Sequence, residues 1–155
     1  MEGLGPVLDA LAAPGGVEVI GTDPADAQTV KLLSNLLWFG QVIAVTEALL
    51  LGRAMGLEPA TLRALLATRA GSSVVLERDY EAVLRGDYMA SFSLDRVIEQ
   101  LATASALATE LHVPFELSTL VEKTHRAARE AFGPIAGELL AARLLEERDG
   151  RALRA

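Results

Sequence analysis

The sequence predicts an all-α protein built on one long central apolar helix wrapped by shorter helices, and three observations carry that expectation. First, the run Lys31 to Met55, KLLSNLLWFGQVIAVTEALLLGRAM, has almost no polar relief between Leu32 and Leu51. A helix this apolar all round must be enclosed by other helices or lie in lipid. Second, the apolar residues downstream recur at helical spacing between clear breaks. Third, Val17-Glu18-Val19-Ile20 is the one segment that looks like a strand, and the sequence offers it no partner. It reads as the end of a sheet whose remainder is missing.

In chain order, residues 3 to 14 suit a short helix ended by Pro14-Gly15-Gly16. Gly21-Thr22-Asp23-Pro24 is a turn in which Thr22 or Asp23 caps and Pro24 opens the long helix. That helix should begin between Pro24 and Gln28 and end at Met55, where Gly56 supplies a left-handed terminus. Leu57-Glu58-Pro59 starts a second helix running to about Thr68. Ser72 or Ser73 caps a third, through Val74, Val75, Leu76 and Leu84, ended near Gly86. Leu94 to Leu111 carries a helical stripe stopped by His112-Val113-Pro114. Helices from about Ser118 to Ala131 and Ile135 to Glu147 follow, with a break at Gly133-Pro134. Three segments result: residues 1–21, a helical domain over 22–150, and a charged tail, 151–155, expected to fray.

About half of the 155 residues are apolar, enough for one domain with a substantial core. The net charge of −7, with 14 basic residues and no basic stripe, argues against a nucleic-acid or anionic-membrane surface. Among aromatics, only Tyr80, Tyr88 and Trp38 have polar edges. Without cysteine there are no disulfides or thiolate sites, and His112 and His125 lack clustered carboxylates, so no metal is assigned. The start lacks a signal pattern, and Asn35, Gln41 and Glu47 favour a buried helix of a soluble, cytoplasmic protein over a membrane span.

Lys31 and Asn35 are four residues apart, on one face of the long helix. By themselves they read as a snorkelling lysine and a satisfied amide. His125, with Glu122 and Arg129, reads as part of a solvated face. Ser72 and Ser73 read as caps because no nucleophile elbow surrounds them. Glu47 is open between pairing with a buried cation and capping an internal network.

The order of motifs resembles the C-terminal domain of the β-hydroxyacid dehydrogenase family, which includes 3-hydroxyisobutyrate and 6-phosphogluconate dehydrogenases. The resemblance rests on Val17-Glu18-Val19-Ile20-Gly21 followed by ADAQTVKLLSN, on Glu47-Ala48 before Leu57-Glu58-Pro59, on the Gly71-Ser72-Ser73 break, and on Phe92-Ser93-Leu94 ahead of a helix ending in Leu-His-Val-Pro. It implies that residues 1–21 are a remnant of a Rossmann domain and that 22–150 form a substrate and dimerisation domain. It implies an NAD- or NADP-dependent oxidoreductase in which Lys31 exchanges a proton with the substrate while nicotinamide exchanges hydride, and Asn35 orients the substrate. The chemistry is consistent: the hydroxyl proton needs an acceptor as hydride leaves, and an amide that both donates and accepts can hold the reacting oxygen.

Departures accompany the resemblance. The family commonly has Gly-x-Gly before the lysine, where this chain has Ala25-Asp26-Ala27, and Ser34 replaces the first residue of an Asn-Asn pair. Where the family carries Lys-Asp-Leu, this chain has Glu99-Gln100-Leu101. If Glu99 faces the site it becomes a substrate-binding residue that disfavours a carboxylate and selects a neutral or cationic substrate; otherwise it points to solvent. No G-x-G-x-x-G occurs, so the cofactor domain is expected outside this chain, in cis or in trans, and the isolated chain is expected to be inactive. A homodimer is expected, both from the family's habit and from the apolar circumference of the long helix. The competing readings are a non-enzymatic helical dimerisation module with a vestigial site, and a bundle that binds an apolar ligand.

Overall fold

The computed structural model describes residues 5–12 and 16–154, and the chain falls into two units, Met1–Leu32 and Leu33–Ala155. In the first unit, helix α1 spans Gly5–Leu11; the stop expected at Pro14-Gly15 lies outside the described residues. Residues 17–20 do not form the expected strand. An extended backbone needs a ladder partner for its N–H and C=O groups, and none is paired with it among the described residues. Helix α2, Pro24–Ala54, begins where the turn chemistry places it. The Asp23 carboxylate accepts from the Ala25 N–H at 2.8 Å, and the Asp26 carboxylate accepts from the Asp23 N–H at 3.1 Å. Two donors that the helix start leaves open are thereby satisfied.

In the second unit, the middle of α2 is shared by two apolar clusters. Phe39 and Ile43 pack with Leu94, Val97, Leu101, Val121 and Leu140. Val42, Val45 and Leu49 pack with Val75, Tyr80, Val83, Leu139 and Leu153. The one buried hydroxyl of this stretch, on Thr46, donates to the Val42 carbonyl at 2.6 Å and accepts from the Tyr80 hydroxyl at 2.7 Å. Enclosure is incomplete, however: Leu33, Leu37 and Leu51 are exposed, as is Glu47, which joins no internal network. Helix α2 is the one helix among the described residues long and apolar enough to cross a membrane. Its two-sided packing and satisfied Thr46 are features of a core helix.

The remaining elements follow the expected order. Gly56 takes φ +90° and ends α2. Glu58 caps α3, Pro59–Leu66, accepting from the Ala60 and Thr61 N–H groups at 2.8 and 2.6 Å. The third helix is broken into a π-helical turn, Val75–Asp79, and α4, Glu81–Leu84, and the Ser73 hydroxyl accepts from the Leu76 N–H at the entry. Then come α5, Leu94–Glu110, α6, Glu116–Phe132, and α7, Leu140–Asp149. The last begins five residues later than expected, because 136–139 pair with the segment before α5: the Gly137 N–H donates to the Phe92 carbonyl at 2.8 Å and the Leu139 N–H to the Tyr88 carbonyl at 3.1 Å.

Besides the strand, two further expectations are overturned. The tail is not frayed at 151–154. Leu153 is buried in the core, its N–H donates to the buried Glu146 carboxylate at 2.5 Å, and Arg53 donates to the Ala152 carbonyl. Tyr88 donates to the other Glu146 oxygen at 2.7 Å; burial first, and then the Glu146 charge, push the Tyr88 phenol up to about 12. Nor does His125 lie on a solvated face. It is fully buried against Phe39, with Nδ1 2.9 Å from the Val121 carbonyl and Nε2 without a partner among the described residues. A carbonyl only accepts, so Nδ1 carries a proton, and burial with no partner for Nε2 keeps the ring neutral.

Burial lowers the His125 pKa to about 4, against an ordinary value of 6.5. The unfolded chain therefore takes up a proton below about pH 6.5 while the folded chain resists until near pH 4. Stability present above pH 6.5 falls as the pH drops through that window, by on the order of 3 kcal/mol. Urea unfolding at neutral pH and in mild acid measures it: the His125→Phe chain should lose distinctly less stability on acidification than the wild type, and equal losses would refute the assignment.

Candidate functional site

Asn35 opens a cavity of about 440 Å³ in the second unit, and the elements around it explain its shape. Helix α2 brings Asn35, Trp38 and Phe39; the π-helical turn brings Arg78 and Asp79; the paired loops before α5 and α7 bring Met89, Phe92 and Glu138. The π turn matters because its bond from the Tyr80 N–H to the Val75 carbonyl, 2.7 Å, takes in one extra residue. Asp79 and Tyr80 are then both buried, Asp79 toward Trp38 and Tyr80 toward Thr46. Gly137 permits the loop pairing: its φ is +145°, and a Cβ there would meet the Leu140 side chain at 2.7 Å and the Tyr88 carbonyl at 3.3 Å.

The polar groups of the cavity are unequally supported. The indole N–H of Trp38 donates to Asp79 at 2.8 Å, and Arg78 Nε donates to the same carboxylate at 2.6 Å. Burial acts to raise the Asp79 carboxyl, but these two donors and the Arg78 charge outweigh it and hold it below its ordinary value. Glu138 has no such support, and burial, with the nearby Asp79 charge, moves its carboxyl above its ordinary value. Asn35 Nδ2 donates to Gln100 Oε1 at 2.5 Å, while Gln100 Nε2 donates at 3.4 Å to the Arg96 carbonyl. That carbonyl cannot donate, so it favours this orientation of the Gln100 amide and leaves Asn35 Oδ1 free of Gln100.

The residues expected from sequence separate. Asn35 lines the cavity. Lys31 is exposed on α2, four residues earlier and within the first unit. Glu99 takes the solvent alternative: its side chain is 62% exposed and pairs with Arg96 at 2.8 Å. Ala25 and Ala27 lie in the first turn of α2, regular helix where the family's glycines would leave an open backbone. Ser72 donates to Glu77 at 2.7 Å and, with Ser73, serves the helix entry. Asp79 and Glu138 were not expected. A larger hollow, of about 510 Å³, lies by Tyr88, Arg143, Glu146 and Arg154, where Glu146 is already engaged in holding the tail.

A family model described as NAD-binding of NADP-dependent 3-hydroxyisobutyrate dehydrogenase matches residues 25–145. The chain belongs to this 3-hydroxyisobutyrate dehydrogenase family. It is 31% identical over 133 residues to L-threonate dehydrogenase of Escherichia coli strain K12, covering 85% of this chain and 43% of that protein. It is 27% identical over 108 residues to 2-(hydroxymethyl)glutarate dehydrogenase of Eubacterium barkeri, covering 69% and 36%. The crystal structure of 3-hydroxyisobutyrate dehydrogenase from Salmonella typhimurium superposes with a TM-score of 0.80 at 26% identity, over 91% of this chain and 49% of that one. The chain thus spans less than half the length of these relatives. The family description attaches NAD binding to this helical region, whereas the cofactor residues were expected outside this chain.

Removing the Asp79 carboxylate leaves the Trp38 N–H without its acceptor. Asp79→Ala should cost on the order of 1–3 kcal/mol and shift the single indole N–H resonance, while Asp79→Asn, which keeps an oxygen for Trp38, should cost less. Denaturant unfolding and proton NMR measure both, and equal costs for the two variants would contradict the role given to that bond.

Proposed function

We propose that the chain is the C-terminal substrate and dimerisation domain of a cytoplasmic, NAD(P)-dependent β-hydroxyacid dehydrogenase, with Lys31 as acid/base and Asn35 as the residue that orients the reacting oxygen. The observation that carries this reading is the cavity at Asn35, in a chain of this family, with the Asn35 amide held by Gln100. In the oxidation direction, Lys31 takes the proton of the substrate hydroxyl as the C–H bond breaks, and the second N–H of Asn35 Nδ2, which Gln100 does not use, donates to the hydroxyl oxygen and fixes its direction. Hydride acceptance is the chemistry that the nicotinamide cofactor supplies when bound.

The residues at the start of α2 do not fit the phosphates of a dinucleotide. Asp23 and Asp26 occupy the open N–H groups there and add negative charge. We therefore assign phosphate binding to a Rossmann domain beyond this chain, in cis or in trans, and take the family's NAD-binding description to concern the nicotinamide ring, the end that carries no phosphate. Supplied with such a domain, the protein should oxidise a short β-hydroxy acid. Lys31→Met should then lower kcat by about 10²- to 10⁴-fold with KM little changed, and the chain alone should show no turnover. Full activity in Lys31→Met would remove the acid/base assignment.

The second reading, a helical dimerisation module, draws on one feature. Leu33, Leu37, Ala44, Ala48 and Leu51 fall at steps of four, seven, four and three residues along α2, with Met55 just past its end, and all are exposed. We propose that a second copy of the chain covers this stripe. Sedimentation should give a dimer that Leu37→Glu with Leu51→Glu converts to monomer; a monomeric wild type would exclude it.

A further inference from the structure

We propose that Glu138 reads the substrate's far end: its carboxyl hydrogen-bonds a donor, a hydroxyl or an ammonium, carried by the substrate away from the carbon that is oxidised. The inference rests on the reading of the Asn35 cavity as the substrate site. Within that cavity the wall is made of Trp38, Phe39, Met89 and Phe92, which supply apolar contact but no direction. Direction must come from the polar groups, and three of these are already committed. Asp79 is held by Trp38 and Arg78, Arg78 is held by Asp79, and the Asn35 Nδ2 amide is held by Gln100.

Glu138 is the exception. It lines the same cavity and is half-buried, yet no side-chain donor or cation among the described residues supports it. A carboxyl taken partly out of water without a partner is costly unless something in the cavity supplies one. Its place is also fixed from both sides. The Glu138 N–H donates to the Met89 carbonyl at 3.3 Å, between the Gly137–Phe92 and Leu139–Tyr88 bonds. The carboxyl is thus mounted on a backbone tied in three places, which suits a group that discriminates. A ligand carboxylate at this spot would meet both Glu138 and Asp79, whereas a hydroxyl or ammonium would meet acceptors. The structural position, on the loop before α7, differs from that of Glu99, whose charge is spent on Arg96 at the surface.

The test uses Trp38, the sole tryptophan of the chain, whose indole forms part of the cavity wall. The chain is titrated with three acids that differ only at the fourth carbon: 3-hydroxybutyrate, 3,4-dihydroxybutyrate and 4-amino-3-hydroxybutyrate. The indole N–H resonance and Trp38 emission report binding. At least one of the two donor-bearing acids should bind about tenfold more tightly than 3-hydroxybutyrate, as one hydrogen bond to a carboxyl group predicts. Glu138→Ala should abolish that preference. Glu138→Gln distinguishes the donors, since it should retain a preference for hydroxyl and lose one for ammonium. If all three acids bind alike, or if Glu138→Ala keeps the preference, Glu138 is not the reader, while the site itself stands. If none of the acids perturbs Trp38 at saturating concentrations, the reading of the cavity as a substrate site falls, and this proposal with it.

Discussion

The middle of α2 buries apolar residues on two sides, and the second unit is arranged to meet that constraint. Two apolar clusters on different sides share the helix, so the elements that bury Phe39 and Ile43 differ from those that bury Val42, Val45 and Leu49. Each fully buried side chain of this kind contributes roughly 1.5–3 kcal/mol relative to exposure. Thr46 lies among these buried residues with no access to water, which is why it must find both a carbonyl and the Tyr80 hydroxyl. Tyr80 in turn must stand at a particular register in the third helix. The π turn before it supplies that register.

The cavity is a by-product of that packing. One extra residue in the π turn buries Tyr80 for the sake of Thr46, and the residue before it, Asp79, arrives beside Trp38 with its charge already paired to Arg78. On the opposite wall, α7 is delayed by the backbone bonds of 136–139 to 88–93. Those bonds carry Met89, Phe92 and Glu138 to the same place, and they require a glycine at 137. The requirement to bury the two apolar sides of α2 therefore reaches the site through two irregular segments, while α2 itself supplies Asn35, Trp38 and Phe39.

Helix boundaries were legible in the sequence because they are written in local chemistry. Asp23-Pro24, Gly56, Glu58-Pro59, Ser93 and Pro114 each act within a turn of the chain, and the helices begin or end beside them. Asn35 was legible through its motif. What failed were residues whose state is set by distant partners. His125 sits one turn from Val121 and close to one turn from Ala128, both buried, so the apolar stripe was there to be seen; the flanking charges Glu122 and Arg129 concealed it. Leu153 is the one large apolar residue in a charged tail, and nothing local says that Glu146 receives its N–H. The strand expected at 17–20 failed for the converse reason, since its propensity was local while the ladder it needs is not.

The Asn35–Gln100 pair shows how a departure from the family pattern is absorbed. The family's Lys-Asp-Leu places a cation and an anion where this chain has Glu99 and Gln100. Here the anion has moved to the outer position, and Arg96, three residues earlier on α5, compensates it at the surface. The inner position is left neutral, and an amide there can do what a carboxylate does for Asn35, accepting from Nδ2, without bringing a charge to the cavity. The Arg96 backbone carbonyl also holds the Gln100 amide in that orientation, so a single residue of α5 serves both substitutions, with its side chain for Glu99 and its carbonyl for Gln100. The charge that remains unbalanced in the cavity is then that of Glu138, on a different element. The unsupported carboxyl therefore stands not on α5 but on the loop before α7, whose geometry is fixed by backbone pairing.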